Sequence, residues 1–71
     1  MADSVYKVIE LVGSSPTSWE DAAKNAVEMA SKSLKELRIA EIADLDMKVE
    51  DGKITAYRAR VKVSFKYMGK E

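Results

Sequence analysis

Residues 45–67 read Leu45-Asp46-Met47-Lys48-Val49-Glu50-Asp51-Gly52-Lys53-Ile54-Thr55-Ala56-Tyr57-Arg58-Ala59-Arg60-Val61-Lys62-Val63-Ser64-Phe65-Lys66-Tyr67, and this stretch decides the fold. Past Gly52, the odd positions Thr55, Tyr57, Ala59, Val61, Val63, Phe65 and Tyr67 are apolar or β-prone. The even positions Ala56, Arg58, Arg60, Lys62, Ser64 and Lys66 are basic or small. A period of two is the mark of a strand with one face on a core and one in water. Upstream, Ile39, Ala43, Leu45, Met47 and Val49 alternate with Ala40, Ile42, Asp44, Asp46 and Lys48. The two runs meet at Glu50-Asp51-Gly52, which reads as a hairpin turn.

Parity sharpens that reading. Directly opposed residues of a hairpin share a face, and both apolar sets are odd-numbered, so paired positions must sum to an even number. A two-residue loop would break that rule. A three-residue loop, Glu50 to Gly52, with Gly52 left-handed in a bulge, satisfies it. Asp44 is then expected opposite Arg58, with Asp46 diagonal to it, as an opposite-charge cluster on the outer face.

Working outward, Trp19, Ala22, Ala23, Ala26, Val27, Ala30, Leu34 and Leu37 recur at three- and four-residue steps, which predicts one amphipathic helix over about 18–37. Thr17 with Glu20 fits a capping box, and Ser18 is an equally good N-cap. The alanines on the stripe allow close approach to a sheet or to another helix. Before them, Ser4 to Val12 is rich in β-branched residues and is followed by the turn chemistry of Gly13 to Ser18.

The whole chain therefore reads as a single α+β domain, 1–71, with strands at about 4–12, 39–49 and 53–67 around the helix. With the helix between the first two strands, order 1-3-2 makes every neighbour antiparallel and leaves the helix on one face.

Seventy-one residues make a marginal core. There is no Cys and no His, so disulfide staples and thiolate or imidazole metal sites are excluded. Any metal must be a hard, oxygen-liking ion such as calcium or magnesium. Self-association is the remaining route to stability. Two open sheet edges and a sheet face with no helix over it invite it.

Twelve basic and twelve acidic side chains cancel, so nothing favours nucleic acid. No apolar run is long enough to span a bilayer. Met1 to Ser4 carries no signal-peptide pattern, and a cytoplasmic location is expected. No nucleophile–base or two-carboxylate constellation can be assembled, so no enzymatic activity is expected.

The string Val5-Tyr6-Lys7-Val8-Ile9-Glu10-Leu11-Val12-Gly13-Ser14-Ser15-Pro16, the Ala22-Ala23 helix opening and the ending Arg60-Val61-Lys62-Val63-Ser64-Phe65 resemble the dodecins. The resemblance covers nearly the whole chain. It implies a β-α-β-β protomer in a hollow homododecamer that binds a small ligand, usually a flavin such as FMN or riboflavin, without catalysis.

Three positions of the implied flavin cleft are substituted. Ile39, in Ile39-Ala40-Glu41-Ile42, stands where flavin binders carry the stacking Trp. Asp46-Met47 replaces Arg-Gly, and Arg58 replaces the Gln that addresses the flavin's polar edge. Losing a stacked ring removes about 0.5–1.5 kcal/mol beyond burial, so flavin affinity is expected to be weak. The stretches Ser15-Pro16-Thr17-Ser18-Trp19-Glu20, Arg38-Ile39-Ala40, Asp46-Met47 and Gly52-Lys53-Ile54-Thr55 resemble the calcium-dodecin branch instead, which implies oxygen-ligand sites for a cation.

Asp44 and Asp46 are the candidate metal ligands, completed by acids from neighbouring subunits. The plainer reading of Asp44, Asp46 and Arg58 is a cross-strand ion-pair ladder. Glu41 reads as the one charge on the apolar face of its strand, either a buried acid or a structural partner at a subunit contact. Trp19 reads as packing at the helix start or at an interface, Met29 and Met47 as interface and core filler, and Glu50-Asp51 with Glu71 as solvated. A third possibility is an interaction module that takes a partner strand on an open edge.

Overall fold

The computed structural model describes residues 5–67. Its elements are β1 (Tyr6–Ser15), α1 (Trp19–Ser33), β2 (Leu37–Glu50) and β3 (Lys53–Lys66). The sheet is antiparallel throughout, in the expected order β1-β3-β2.

β3 supplies the centre. Ala59, Val61 and Val63 point at the helix and are fully buried. Ile9, Leu11 and Gly13 flank them on β1. From above, Ala22, Ala26 and Ala30 close the core, with Ala23, Val27, Leu34 and Leu37 packed around it. Alanine spacing at every fourth residue lets the helix lie close to the sheet. At Gly13 the approach is tight enough that a Cβ would sit 2.0 Å from the Ala22 carbonyl oxygen. The helix covers β1 and β3 and scarcely touches β2.

The helix is shorter than its apolar stripe suggests. Ser18 is the N-cap, its hydroxyl accepting from the Asp21 N–H at 3.0 Å. At the other end Leu34 is already extended, its N–H still bonded to the Ala30 carbonyl, and Glu36 turns the chain at a φ of 61°. Leu34 and Leu37 keep their places against the core as a cap and as the first residue of β2. Fifteen residues of helix span about 22 Å and fourteen of strand about 47 Å. The β2–β3 hairpin therefore runs past both α1 and β1, and the molecule measures 55 × 20 × 18 Å.

The turn departs from the parity expectation. Glu50 pairs with Lys53, so the loop is the two-residue Asp51-Gly52, with φ of 52° and 74°. Two positive φ values in succession match the twist of a hairpin, and Asp-Gly tolerates both. Gly52 is left-handed as expected, but the parity is restored elsewhere: Thr55 has no partner between Ile54↔Val49 and Ala56↔Lys48. Consequently Asp46 opposes Arg58 and Asp44 opposes Arg60, two residues along β3 from the expected register.

A second irregularity leaves Ala43 unpaired between Ile42↔Val61 and Asp44↔Arg60. It flips the parity of the first half of β2. Ile42 and Ala40 face the helix side, while Ile39 and Glu41 face the outer side opposite Ser64 and Lys62. Glu41 is thus exposed on the charged face, not placed on the apolar one.

Candidate functional site

The outer face of the sheet is a charge ladder. Down its centre β3 presents Arg58, Arg60 and Lys62. The β2 edge presents Asp46, Asp44 and Glu41 directly opposite them, and β1 adds Glu10 opposite Lys62. One pair is bidentate. Arg58 donates from Nε to Asp46 Oδ1 at 2.7 Å and from its terminal amino group to Oδ2 at 2.8 Å. The fork geometry of guanidinium on carboxylate is the strong form of this interaction. It holds the Asp46 carboxyl below its ordinary range, first through those hydrogen bonds, with the charges of Arg58 and Arg60 adding and partial desolvation opposing. Arg58 is shifted up by the same bonds. Both side chains remain partly exposed, so the pair belongs to the solvated class of ion pairs.

The neighbouring rungs are looser. Arg60 leans towards Glu10, with 3.9 Å between Nε and the carboxylate. Among the described residues Asp44 makes no ion pair, although it faces Arg60 across the ladder. Its carboxylate is, with that of Glu41, an open acid of this face.

Of the positions singled out in the sequence, the structure brings Asp46 and Arg58 together and places Asp44 one rung away on the same face. Ile39 shares that face but pairs with Ser64, six residues along β3 from Arg58, or about 20 Å. It is 65% exposed. It therefore presents an aliphatic side chain to solvent at a distance from the ion pair.

Behind the ladder, on the helix side, lies an open groove of about 470 Å³ lined by Thr17, Ser18, Trp19, Glu20, Leu45 and Tyr57. A second hollow of about 360 Å³ adjoins it along Trp19, Ala23, Ile42 and Leu45. Trp19, Glu20 and Leu45 line both. The Trp19 indole N–H donates to the Asp46 carbonyl at 2.9 Å, and its ring meets Tyr57 edge to face at 5.1 Å and 71°. The sequence reading of Trp19 as packing missed this bond, because a helix-to-strand hydrogen bond 27 residues apart leaves no periodic signal.

The helix start that carries Trp19 is itself anchored. The buried Ser15 hydroxyl donates to Asp21 Oδ2 at 2.9 Å and accepts from the Thr17 N–H at 3.0 Å.

A calcium ion takes six to eight oxygens. Among the described residues no three acidic side chains converge on one point, and Asp46 already spends both oxygens on Arg58. One protomer alone therefore does not fit the ion. Glu71 lies outside the described residues.

Comparison with known proteins places this geometry. The family model described as Dodecin matches residues 5–68. The chain belongs to the dodecin family. It is 53% identical over 64 residues to the calcium dodecin of Mycobacterium tuberculosis, covering 89% of each chain. Among solved structures, dodecin from Streptomyces coelicolor superposes with a TM-score of 0.89 at 31% identity, covering 99% of this chain and 100% of that one. The crystal structure of the calcium-chelating calcium dodecin of Mycobacterium tuberculosis, which has a calcium-binding site, gives a TM-score of 0.82 at 48% identity. It covers 96% of this chain and 97% of its own. The β-α-β-β topology is thus that of the dodecins, and a homododecamer is consistent with the family.

The exposed apolar residues agree with a protomer that assembles. Ile42, Leu45, Met47, Val49 and Ile54 are all open along the hairpin, on the helix-side face of the sheet where the helix does not reach over it. A core of three alanines and three small β3 residues leaves a large share of the apolar side chains unburied.

Proposed function

We propose that this dodecin is a non-catalytic binding and storage protein that works as a homododecamer, with calcium rather than a flavin as its ligand. The observation that carries the reading is the 53% identity, over 89% of both chains, to a protein named calcium dodecin. The exposed aliphatic Ile39 on the outer face supports the second clause, since it offers a flavin ring no aromatic partner.

The outer face suggests how a cation would be held. Asp44 has its carboxylate free, whereas Asp46 is committed to Arg58. One protomer lacks the donors, so the ion would lie between protomers, where symmetry multiplies Asp44. Asp46 would keep Arg58 off the neighbouring acid.

The test is calorimetric titration of the purified assembly with calcium, alongside light scattering and absorbance near 450 nm. A heat signal that disappears in Asp44→Asn, a mass of twelve protomers and no flavin band are expected. A flat titration removes the calcium reading, a monomer removes the assembly, and a stoichiometric flavin band removes the choice of ligand.

A further inference from the structure

We propose that Trp19 is a positioning residue for the Asp46–Arg58 pair: its indole N–H, bonded to the Asp46 carbonyl, holds the strand from which the carboxylate reaches the guanidinium on the opposite face. The two contacts of the ring straddle the pair. On β2 the indole grips the carbonyl of Asp46 itself at 2.9 Å. On β3 it rests edge-on against Tyr57, the residue before Arg58. One side chain thereby meets Asp46 itself and the strand neighbour of Arg58 from behind.

The need for such a fixture follows from the fold. α1 scarcely touches β2, so β2 is held mainly by its ladder to β3. That ladder is interrupted on both sides of Asp46, by the unpaired Ala43 and by the unpaired Thr55. Bulges loosen and twist a strand locally, and a bidentate fork tolerates little angular error. Asp46 thus sits on a short regular stretch between two irregular ones. The tie to Trp19 fastens that stretch to the helix start.

The helix start is a firm support. The Ser18 cap closes its first turn, and the Ser15–Asp21 bond ties it to the end of β1. Trp19 follows the cap directly, so its indole has little backbone freedom. The arrangement also links the helix-side groove to the charged face: a molecule that displaced the indole would release Asp46 on the other side.

The experiment is made on the assembled protein without added calcium, so the result is independent of the ligand reading. Hydrogen exchange of the Arg58 Nε proton is followed by NMR in the wild type and in Trp19→Phe, which keeps a ring and removes the N–H. Exchange about fivefold faster is expected, the factor carried by one ordinary hydrogen bond, with the oligomer mass unchanged. An unchanged rate in the assembled variant overturns the proposal, because mere ring packing would leave Arg58 alone.

Coupling between two sites is reciprocal, which supplies a second measurement should Trp19→Phe fail to assemble. In Arg58→Gln, the emission of Trp19, the sole tryptophan, is expected to shift to longer wavelength, with acrylamide quenching increased about twofold. Identical emission and quenching in wild type and Arg58→Gln also overturn it.

Discussion

Replacing Gly13 with alanine adds one methyl group at the closest approach between strand and helix. The new Cβ would stand 2.0 Å from the Ala22 carbonyl oxygen, and 3.0 Å from both the Ala22 carbonyl carbon and the Ala26 Cβ. A carbon and a carbonyl oxygen in contact are ordinarily about 3.3 Å apart, so roughly 1.3 Å of separation must be found. No rotamer change can supply it, because the nearest atoms belong to the helix backbone. The helix must instead lift from the sheet, pulling Ala22, Ala26 and Ala30 away from Ala59, Val61 and Val63.

Overpacking that side chains can absorb costs about 1–3 kcal/mol, so a backbone clash belongs at or above about 3 kcal/mol. At about 4–8 °C per kcal/mol for a domain of this size, the melting midpoint should fall by roughly 12–24 °C. Thermal unfolding at fixed protomer concentration is the assay, since an oligomer's midpoint depends on concentration. Gly52→Ala is the control. Nothing lies within 4 Å of a Cβ there, and only the φ of 74° resists. Its cost should stay near about 1 kcal/mol. A Gly13→Ala midpoint equal to wild type, or a larger loss in Gly52→Ala, would refute the close-approach argument.

Three further outcomes follow from the same structure. Ser18→Ala removes the acceptor for the Asp21 N–H and should cost about 1 kcal/mol, read as an earlier thermal midpoint and faster amide exchange in the first turn of α1. Ile39→Trp restores an aromatic platform at an exposed position of the outer face and should raise riboflavin affinity, measured by quenching of flavin fluorescence. Because folding lowers the Asp46 carboxyl below its ordinary value of 3.8, the unfolded chain takes up that proton more readily. The pair's stabilisation is therefore complete above that value and is lost as pH falls through and below it. Chemical denaturation from pH 5 downward should show a shallower acid loss in Arg58→Gln than in the wild type.

The parts of the fold governed by periodicity were readable from the residues. Tyr57 to Phe65 alternates without fault and is the central strand; the alanine stripe from Ala22 to Ala30 is the buried helix face. Order 1-3-2 followed from a helix placed between the first two strands. The helix end was not readable, since Leu34 and Leu37 continue the apolar spacing while contributing to the core from extended backbone. Neither Gly nor Pro marks the stop; Glu36 makes the turn at positive φ. At the site, the charge partners Asp46 and Arg58 were recognisable as a cluster, but their rung was not. Register depends on bulges at Ala43 and Thr55, and neither residue type announces a bulge.

Those two bulges decide the character of the charged face. The even-sum pairing set by the bulge at Thr55 puts Asp46 on Arg58 and Asp44 on Arg60. Had parity run unbroken up β2 from there, Asp44 and Asp46 would share the outer face with Ala40 and Ile42, and Glu41 would point to the helix side. Skipping Ala43 exchanges these. Ile42 moves to the apolar side, where it joins Ala23 and Leu45 along the hollow beside Trp19, and Glu41 moves out opposite Lys62. One unpaired alanine thereby spares the protomer a carboxylate among apolar groups, while Ile39 turns to the outer face as Ile42 leaves it. The same exchange aligns three acids along one strand edge against three bases in the centre. Like charges stacked along an edge repel, and that repulsion is tolerable only while the bases opposite remain in place. Drawing Arg58 away from Asp46 would add its carboxylate to the open acid of Asp44. For that reason the Arg58–Asp46 fork is the point at which this face could pass from a closed ladder to a cation-attracting one.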